Sequence, residues 1–132
     1  MPANTLPIVP ISPIVGAASA IATLAATRAT IVGTTGLTAV TATTTNGLRV
    51  DQVVVQLTAT SAAAIVMLWI YDGTNSYLFD EFVISAVTPS NTVTAVRIAR
   101  NYGNLVLPPT YRLYASTTIA QNTNVFAMGG SY

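Results

Sequence analysis

The sequence contains no cysteine, no histidine and no lysine among its 132 residues. Without cysteine the chain has neither disulfides nor thiolate metal ligands, so its stability must come from packing. Without histidine and lysine it lacks the usual general base near neutral pH and the amine that forms Schiff bases. It also has no phosphate-binding loop and no dinucleotide fingerprint. We therefore predict that the chain is not an enzyme and binds no metal or other cofactor.

Charged residues are scarce. Five Lys+Arg and four Asp+Glu make up 7% of the chain, with a net charge of +1, whereas soluble domains carry about 25% charged residues. Thr, Ser, Asn and Gln must therefore supply the polar surface. These neutral groups lose less free energy on leaving water than an ammonium or a carboxylate does. Such a surface suits burial between subunits, and we expect a homo-oligomer, specifically a trimer.

Long apolar runs are absent as well, although mean hydropathy is +0.58. The longest run, residues 62–71, has ten residues, about half of what a transmembrane helix needs. Residues 16–27 resemble a signal-peptide cleavage region, but no Lys or Arg precedes them and prolines interrupt the apolar run. We expect no membrane partner, no cleaved leader and synthesis in a cytoplasm.

Proline and apolar residues dominate the N-terminal segment, residues 1–15, MPANTLPIVPISPIV. Its four prolines favour an extended backbone and exclude a helix. We predict an extended N-terminal arm over residues 1–15 that docks on a neighbouring subunit, followed by a single domain over residues 16–132. The predicted contact residues of the arm are Leu6, Ile8, Val9 and Ile11.

From residue 16 onward the pattern predicts β-structure, because Thr and Val are frequent and turn signals recur about every ten residues. Asn46-Gly47 predicts a two-residue hairpin turn, and residues 72–75, DGTN, predict a second one. Residues 48–60 alternate, and their spacing places Val53, Val55 and Leu57 towards the core. Residues 62–71 are apolar on both faces, as expected of a covered central strand.

Further strands are predicted over residues 76–84, 92–100, 104–107, 111–118 and 124–128. Residues 16–36 favour strands, but their alanine content and apolar spacing also fit a short helix. About eight strands result, so we predict an all-β fold: a two-sheet antiparallel sandwich, specifically a jelly roll.

Few groups could carry chemistry. Asp80 and Glu81 are adjacent, and adjacent strand residues point to opposite faces, so the two cannot act as a carboxylate pair on one bond. Arg97 and Arg100 could suggest nucleic acid, but binding a phosphate backbone needs several cations without compensating anions. We instead predict that both arginines form ion pairs between subunits, with Asp51, Asp80 or Glu81.

The aromatic residues leave one alternative open. Trp69 and Tyr71 share one face of a predicted strand, and nearby tyrosines could extend them into a platform for stacking sugars. Packing of the same side chains in the core of a sandwich is the other interpretation.

Several segments resemble small proteins of tailed-bacteriophage genomes that act as jelly-roll cement or decoration proteins on capsids. They are the opening PANTLPI, NGLRVDQVVV at 46–55, YDGTN at 71–75, LPPTYRLYAST at 107–117 and the closing GGSY. The resemblance spans most of the chain, and its motifs are turns and strand starts. It implies attachment to the outside of a shell built from a major capsid protein, commonly as trimers that lock neighbouring capsomers. It implies no catalytic residues.

Three functions follow as hypotheses. The first is a viral structural protein, a capsid cement subunit of the virion exterior. The second is a tail or baseplate subunit of the same virus, and the third is a carbohydrate-binding module for host attachment.

Overall fold

The structure, a computed structural model, describes residues 12–19, 21–24 and 27–132. Its described part is all-β, with nine strands and no helix. The strands are β1 Ser12–Ser19, β2 Ile31–Val32, β3 Thr38–Ala39, β4 Leu48–Leu57, β5 Ala64–Tyr71, β6 Asn75–Ile84, β7 Arg97–Leu107, β8 Arg112–Thr117 and β9 Thr123–Ser131.

The strands form two antiparallel sheets. The first, sheet A, has the order β1-β9-β4-β7, and the second, sheet B, has the order β2-β6-β5-β8-β3. Pairing is nested along the chain: β5 pairs with β6, β4 with β7, β3 with β8 and β1 with β9. The chain therefore resembles one long antiparallel hairpin that is folded over. Its successive strand pairs lie alternately in sheet B and sheet A. The predicted two-sheet antiparallel sandwich is confirmed.

The main core lies between the two sheets and arises from the alternation of the strands. Val53, Val55 and Leu57 of β4 are fully buried there, as predicted, and they share one cluster with Phe82 of β6 and Leu113 of β8. Burial of each such side chain contributes roughly 1.5–3 kcal/mol of stabilising free energy, because its apolar surface is removed from water. The core holds the sheets face to face and leaves the outer face of each sheet for other uses.

The outer face of sheet B is covered by the chain itself. Met67 and Trp69 of β5 and Tyr114 of β8 form a second buried cluster beneath Leu24 and Leu37. The indole Nε1 of Trp69 donates a hydrogen bond to Ser116 Oγ at 3.0 Å. This covering explains why β5 is apolar on both faces, since one face lies against the main core and the other under Leu24 and Leu37.

Some sequence-based boundaries differ from the structure. The predicted strands at 92–100 and 104–107 are parts of one strand, β7, which begins only at Arg97. No helix forms in the described part of residues 16–36, where β1 ends and β2 lies. Strand β1 begins at Ser12, so residues 12–15, which were assigned to the arm, pair with β9.

The prediction of a hairpin at Asn46-Gly47 is wrong. Gly47 does take a positive φ of 91°, which suits glycine. However, the strand before it, β3, pairs with β8 in sheet B, and the strand after it, β4, lies in sheet A. The turn therefore carries the chain from one sheet to the other. The prediction failed because a local turn signal does not specify which strands pair.

The second predicted turn is confirmed, because β5 and β6 form an antiparallel hairpin around it. Asp72 Oδ1 accepts hydrogen bonds from the backbone N–H groups of Asn75 at 2.7 Å and Thr74 at 2.8 Å. These two bonds hold the pKa of Asp72 below its ordinary value, and the bond from Asn75 has the larger effect. The carboxylate is thus used to close a turn.

Candidate interaction surfaces

Arg100 joins β7, an edge strand of sheet A, to β6 of sheet B. Its Nη1 lies 2.6 Å from Asp80 Oδ1 of β6 and also donates to the Glu81 carbonyl oxygen at 3.0 Å. The hydroxyl of Tyr102, also on β7, donates to the other carboxylate oxygen, Asp80 Oδ2, at 2.6 Å. The Arg100 guanidinium stacks over the Phe82 ring at 4.5 Å. We call Asp80, Arg100 and Tyr102 the edge latch.

Electrostatics of the edge latch favour the charged pair. Partial burial raises the pKa of Asp80, but the hydrogen bonds from Arg100 and Tyr102 outweigh it, so the pKa lies below the ordinary value. The pKa of Arg100 is raised, first by its hydrogen bond to Asp80. Burial and the bond to Asp80 raise the pKa of the Tyr102 phenol. At neutral pH the latch is therefore an ion pair with a neutral phenol.

The sequence predicted an ion pair of Arg100 between subunits. Asp80 is indeed a partner, but the pair forms within one chain, since the nested fold brings β6 and β7 to the same side of the sandwich. Glu81, next to Asp80, points elsewhere and pairs with Arg28 at 2.8 Å. The two neighbouring carboxylates thus diverge, as strand geometry requires.

All four carboxylates of the chain have structural partners. Asp80 and Glu81 pair with arginines, Asp51 pairs with Arg49 at 2.8 Å, and Asp72 closes the β5–β6 turn. In the described part of the chain, no three His, Cys, Asp or Glu side chains group as metal ligands would. Nor does any helix there have the length and apolarity to cross a membrane.

Arg97 lies on the outer face of sheet A. It lines a shallow depression of about 270 Å³ together with Gln56 and four apolar residues, Val15, Val54, Phe126 and Met128. We call this surface the sheet A depression. Val15 is 71% exposed, while Val54 is covered by its neighbours. Among the described residues Arg97 forms no ion pair. A sheet face that is mostly apolar and carries one charged side chain is suited to contact with another protein surface.

Sequence reasoning did not find the sheet A depression. The signal was present in β9, where Phe126 and Met128 lie on the parity opposite to the core residues Val125 and Ala127. A strand that is apolar on both parities has two faces to cover. Only the pairing of β9 with β1 and β4 shows which residues join it on the outer face.

The sugar-stacking platform centred on Trp69 is not available. Trp69 is fully buried, Tyr114 is 8% exposed, and the rings of Tyr71 and Tyr114 pack edge to face at 5.5 Å. The same aromatic residues form the second core cluster, which was the alternative interpretation.

The remaining predicted contact residues differ in their placement. Arg97 and Arg100, three apart on β7, lie on opposite sides of sheet A: Arg97 borders the depression and Arg100 forms the edge latch. Another arginine, Arg112, forms a contact within the chain: its Nε donates a hydrogen bond to the Thr41 carbonyl oxygen at 2.9 Å. Leu6, Ile8, Val9 and Ile11 lie outside the described residues.

Comparison with known proteins yields little. No family model matches the chain, and no curated protein matches it. Eight chains of solved structures match. One belongs to a structure described as "Structure of infectious bursal disease virus Gt strain", with 16% identity and a TM-score of 0.32 over 98% of this chain. This chain spans 36% of that chain's length. A superposition this loose supports no argument from that chain to this one.

Proposed function

We propose that this chain is a structural subunit of a virus particle, a cement protein that binds the exterior of a shell formed by a major capsid protein. The observation that carries the proposal is the sheet A depression, an apolar surface on a sandwich with 7% charged residues. Removal of such a surface from water favours association, and few charges must be desolvated in the process.

The strand pairing supports the same proposal. Nested pairs of first with last strands in two sheets are the arrangement of a jelly roll, a fold used for capsid domains. The resemblance of the turn motifs to phage cement proteins implies the same architecture. The jelly-roll topology, the trimer and the capsid exterior are therefore parts of one proposal.

We also propose that the chain has no catalytic activity. Every carboxylate of the chain holds a turn or an arginine, so none is presented as an unpartnered acid or base in the described surface. We also propose that nucleic acid is no partner, since Arg100 is neutralised by Asp80 and Arg97 faces a different side.

Copy number on the particle tests the role. Heads and tails of the virus that encodes this chain can be separated, and the chain quantified by mass spectrometry against the major capsid protein. We expect a fixed, stoichiometric copy number on intact tailless heads and release before the shell itself dissociates. Presence on tails alone would replace the cement role by the tail or baseplate role, and absence from particles would contradict both.

Arg97 provides a test at the residue level. Arg97→Ala should leave the free energy of unfolding within about 0.5 kcal/mol, because the side chain is exposed, and should weaken binding to heads. Arg49→Ala is the matched control, since Arg49 lies on a strand of the same sheet but pairs with Asp51. Equal head binding by both variants and the parent would remove Arg97 from the interface.

A further inference from the structure

No described residue covers the sheet A depression, whereas Leu24 and Leu37 cover the equivalent face of sheet B. Its floor is apolar and its rim carries Arg97. A partner that fits must bring aliphatic side chains and hydrogen-bond acceptors for a guanidinium, which is a donor only.

Residues 1–11 have this composition. They include Leu6, Ile8, Val9 and Ile11, and none of the eleven residues carries a charged side chain. Their prolines, Pro2, Pro7 and Pro10, have no backbone N–H and favour an extended chain whose carbonyl groups are not used in a ladder. Such carbonyl groups can accept hydrogen bonds from Arg97. The segment therefore complements both the floor and the rim.

The position of Ser12 indicates which copy supplies the segment. Ser12 pairs with Ser131 at one end of sheet A. The lining of the depression runs from the row of Val15 and Met128 to the row of Gln56 and Arg97. Along β1 these rows lie about 10 Å and about 23 Å from Ser12, in the direction away from residues 1–11. To fill its own depression the segment would have to reverse direction next to Ser12. A β-turn takes four residues, and Ser12 is already paired with Ser131, so the reversal would use residues 8–11. These include three of the four contact residues, Ile8, Val9 and Ile11, which would then not be free to fill the depression.

A segment from another copy needs no reversal. Eleven extended residues reach about 36 Å, which is enough to cross from one sandwich to the next. We propose that the sheet A depression of one copy receives residues 1–11 of a second copy, so that sister subunits are linked by exchanged arms. The inference rests on the proposed assembly role: the depression then joins sister copies, and Arg97 affects head binding through that link between copies rather than by touching the shell.

The lack of cysteine makes a direct test possible. Ile8→Cys is placed in one chain and Val15→Cys in a second, isotopically heavy chain. The two are mixed under conditions that allow subunit exchange and treated with a short thiol crosslinker. Val83→Cys is the matched control, because Val83 is a strand valine that is 75% exposed, against 71% for Val15. We expect a light–heavy covalent dimer with Val15→Cys at least ten times more abundant than with Val83→Cys.

Folding of each variant is verified by circular dichroism, and Ala17→Cys, which is also exposed and pairs with Phe126, serves as a second position on the same face. Equal yields for the Val15 and Val83 positions would overturn the inference.

Head binding is measured in parallel, so that the two proposals can fail separately. Attachment to heads without the light–heavy crosslink would sink the exchanged arm and leave the cement role. The crosslink without attachment to heads would support the exchanged arm and contradict the cement role.

Discussion

Asp80 shows at the scale of one residue how this fold uses its few charges. Its two carboxylate oxygens are taken by Arg100 and by Tyr102, and both partners come from the neighbouring sheet. A hydrogen-bonded ion pair between sheets contributes more than an exposed pair, because it fixes the separation and angle of two layers. Asp80 and Arg100 thus help to fix how the two sheets pack on each other.

Asp80→Asn should lower the free energy of unfolding by about 1–2 kcal/mol at pH 7, since the amide brings no charge to Arg100. The direction in which stability changes with pH follows from the lowered pKa of Asp80. Stability from Asp80 is complete above its ordinary pKa of 3.8 and is lost as the pH falls through the lower folded value. Urea unfolding at several pH values should therefore show a smaller acid loss in the variant.

Asp51→Asn is the control for that measurement, because Asp51 pairs with Arg49 on the surface, where the two side chains are 49% and 37% exposed. It should change stability by less than about 0.5 kcal/mol. If the Asp80 and Asp51 variants behave alike at every pH, the edge latch does not stabilise the sandwich.

At the scale of one element, strand β9 depends on a glycine where it approaches its neighbour β4. It lies between β1 and β4 in sheet A, and at Gly129 it passes directly against the β4 backbone. A Cβ atom at Gly129 would collide with the carbonyl oxygen of Arg49, next to the register shift between Val50 and Gln52. The close approach therefore requires glycine.

Gly129→Ala should lower the free energy of unfolding by about 1–3 kcal/mol, because backbone atoms must move to relieve the contact. Gly103→Ala on β7 is the matched control, since a Cβ there would meet nothing within 4 Å; it should be neutral or slightly stabilising. Chemical unfolding of the two variants measures the difference. A neutral Gly129→Ala would mean that β9 can shift without cost.

Strand β1 separates the arm from the sandwich. Deleting residues 2–11 should leave the circular dichroism nearly unchanged, because β1 begins at Ser12. At a concentration low enough to keep the parent chain monomeric, the melting temperature should be nearly unchanged as well. Deleting residues 2–19 should destabilise the fold by several backbone hydrogen bonds at about 1 kcal/mol each, since β9 would lose its β1 partner. Thermal melts of both deletions measure the contrast. Equal loss in both would place residues 2–11 within the fold.

At the scale of the whole molecule, the scarcity of charge determines how copies should associate. With a net charge of +1 and an apolar depression, self-association should be driven by burial of apolar surface. We expect a trimer by sedimentation velocity whose mass is the same at low and high NaCl. Dissociation by salt alone would indicate that ion pairs hold the copies together, and a stable monomer at high micromolar concentration would contradict assembly through this surface.

The sequence by itself determined the fold class and most strand positions of this protein. Alternation in residues 48–57 and the Asp72-Gly73 turn depend on neighbours along the chain, so local chemistry suffices to specify them. The tertiary structure decided which strands meet. It turned the expected Asn46-Gly47 hairpin into a link between sheets and the aromatic residues around Trp69 into a second core. It also gave Arg100 a partner, Asp80, within its own chain. It also gathered Val15, Val54 and Phe126 into one depression. These pairings join residues far apart in sequence, and long-range strand pairing depends on which complete set of faces can be buried together, which no local pattern encodes.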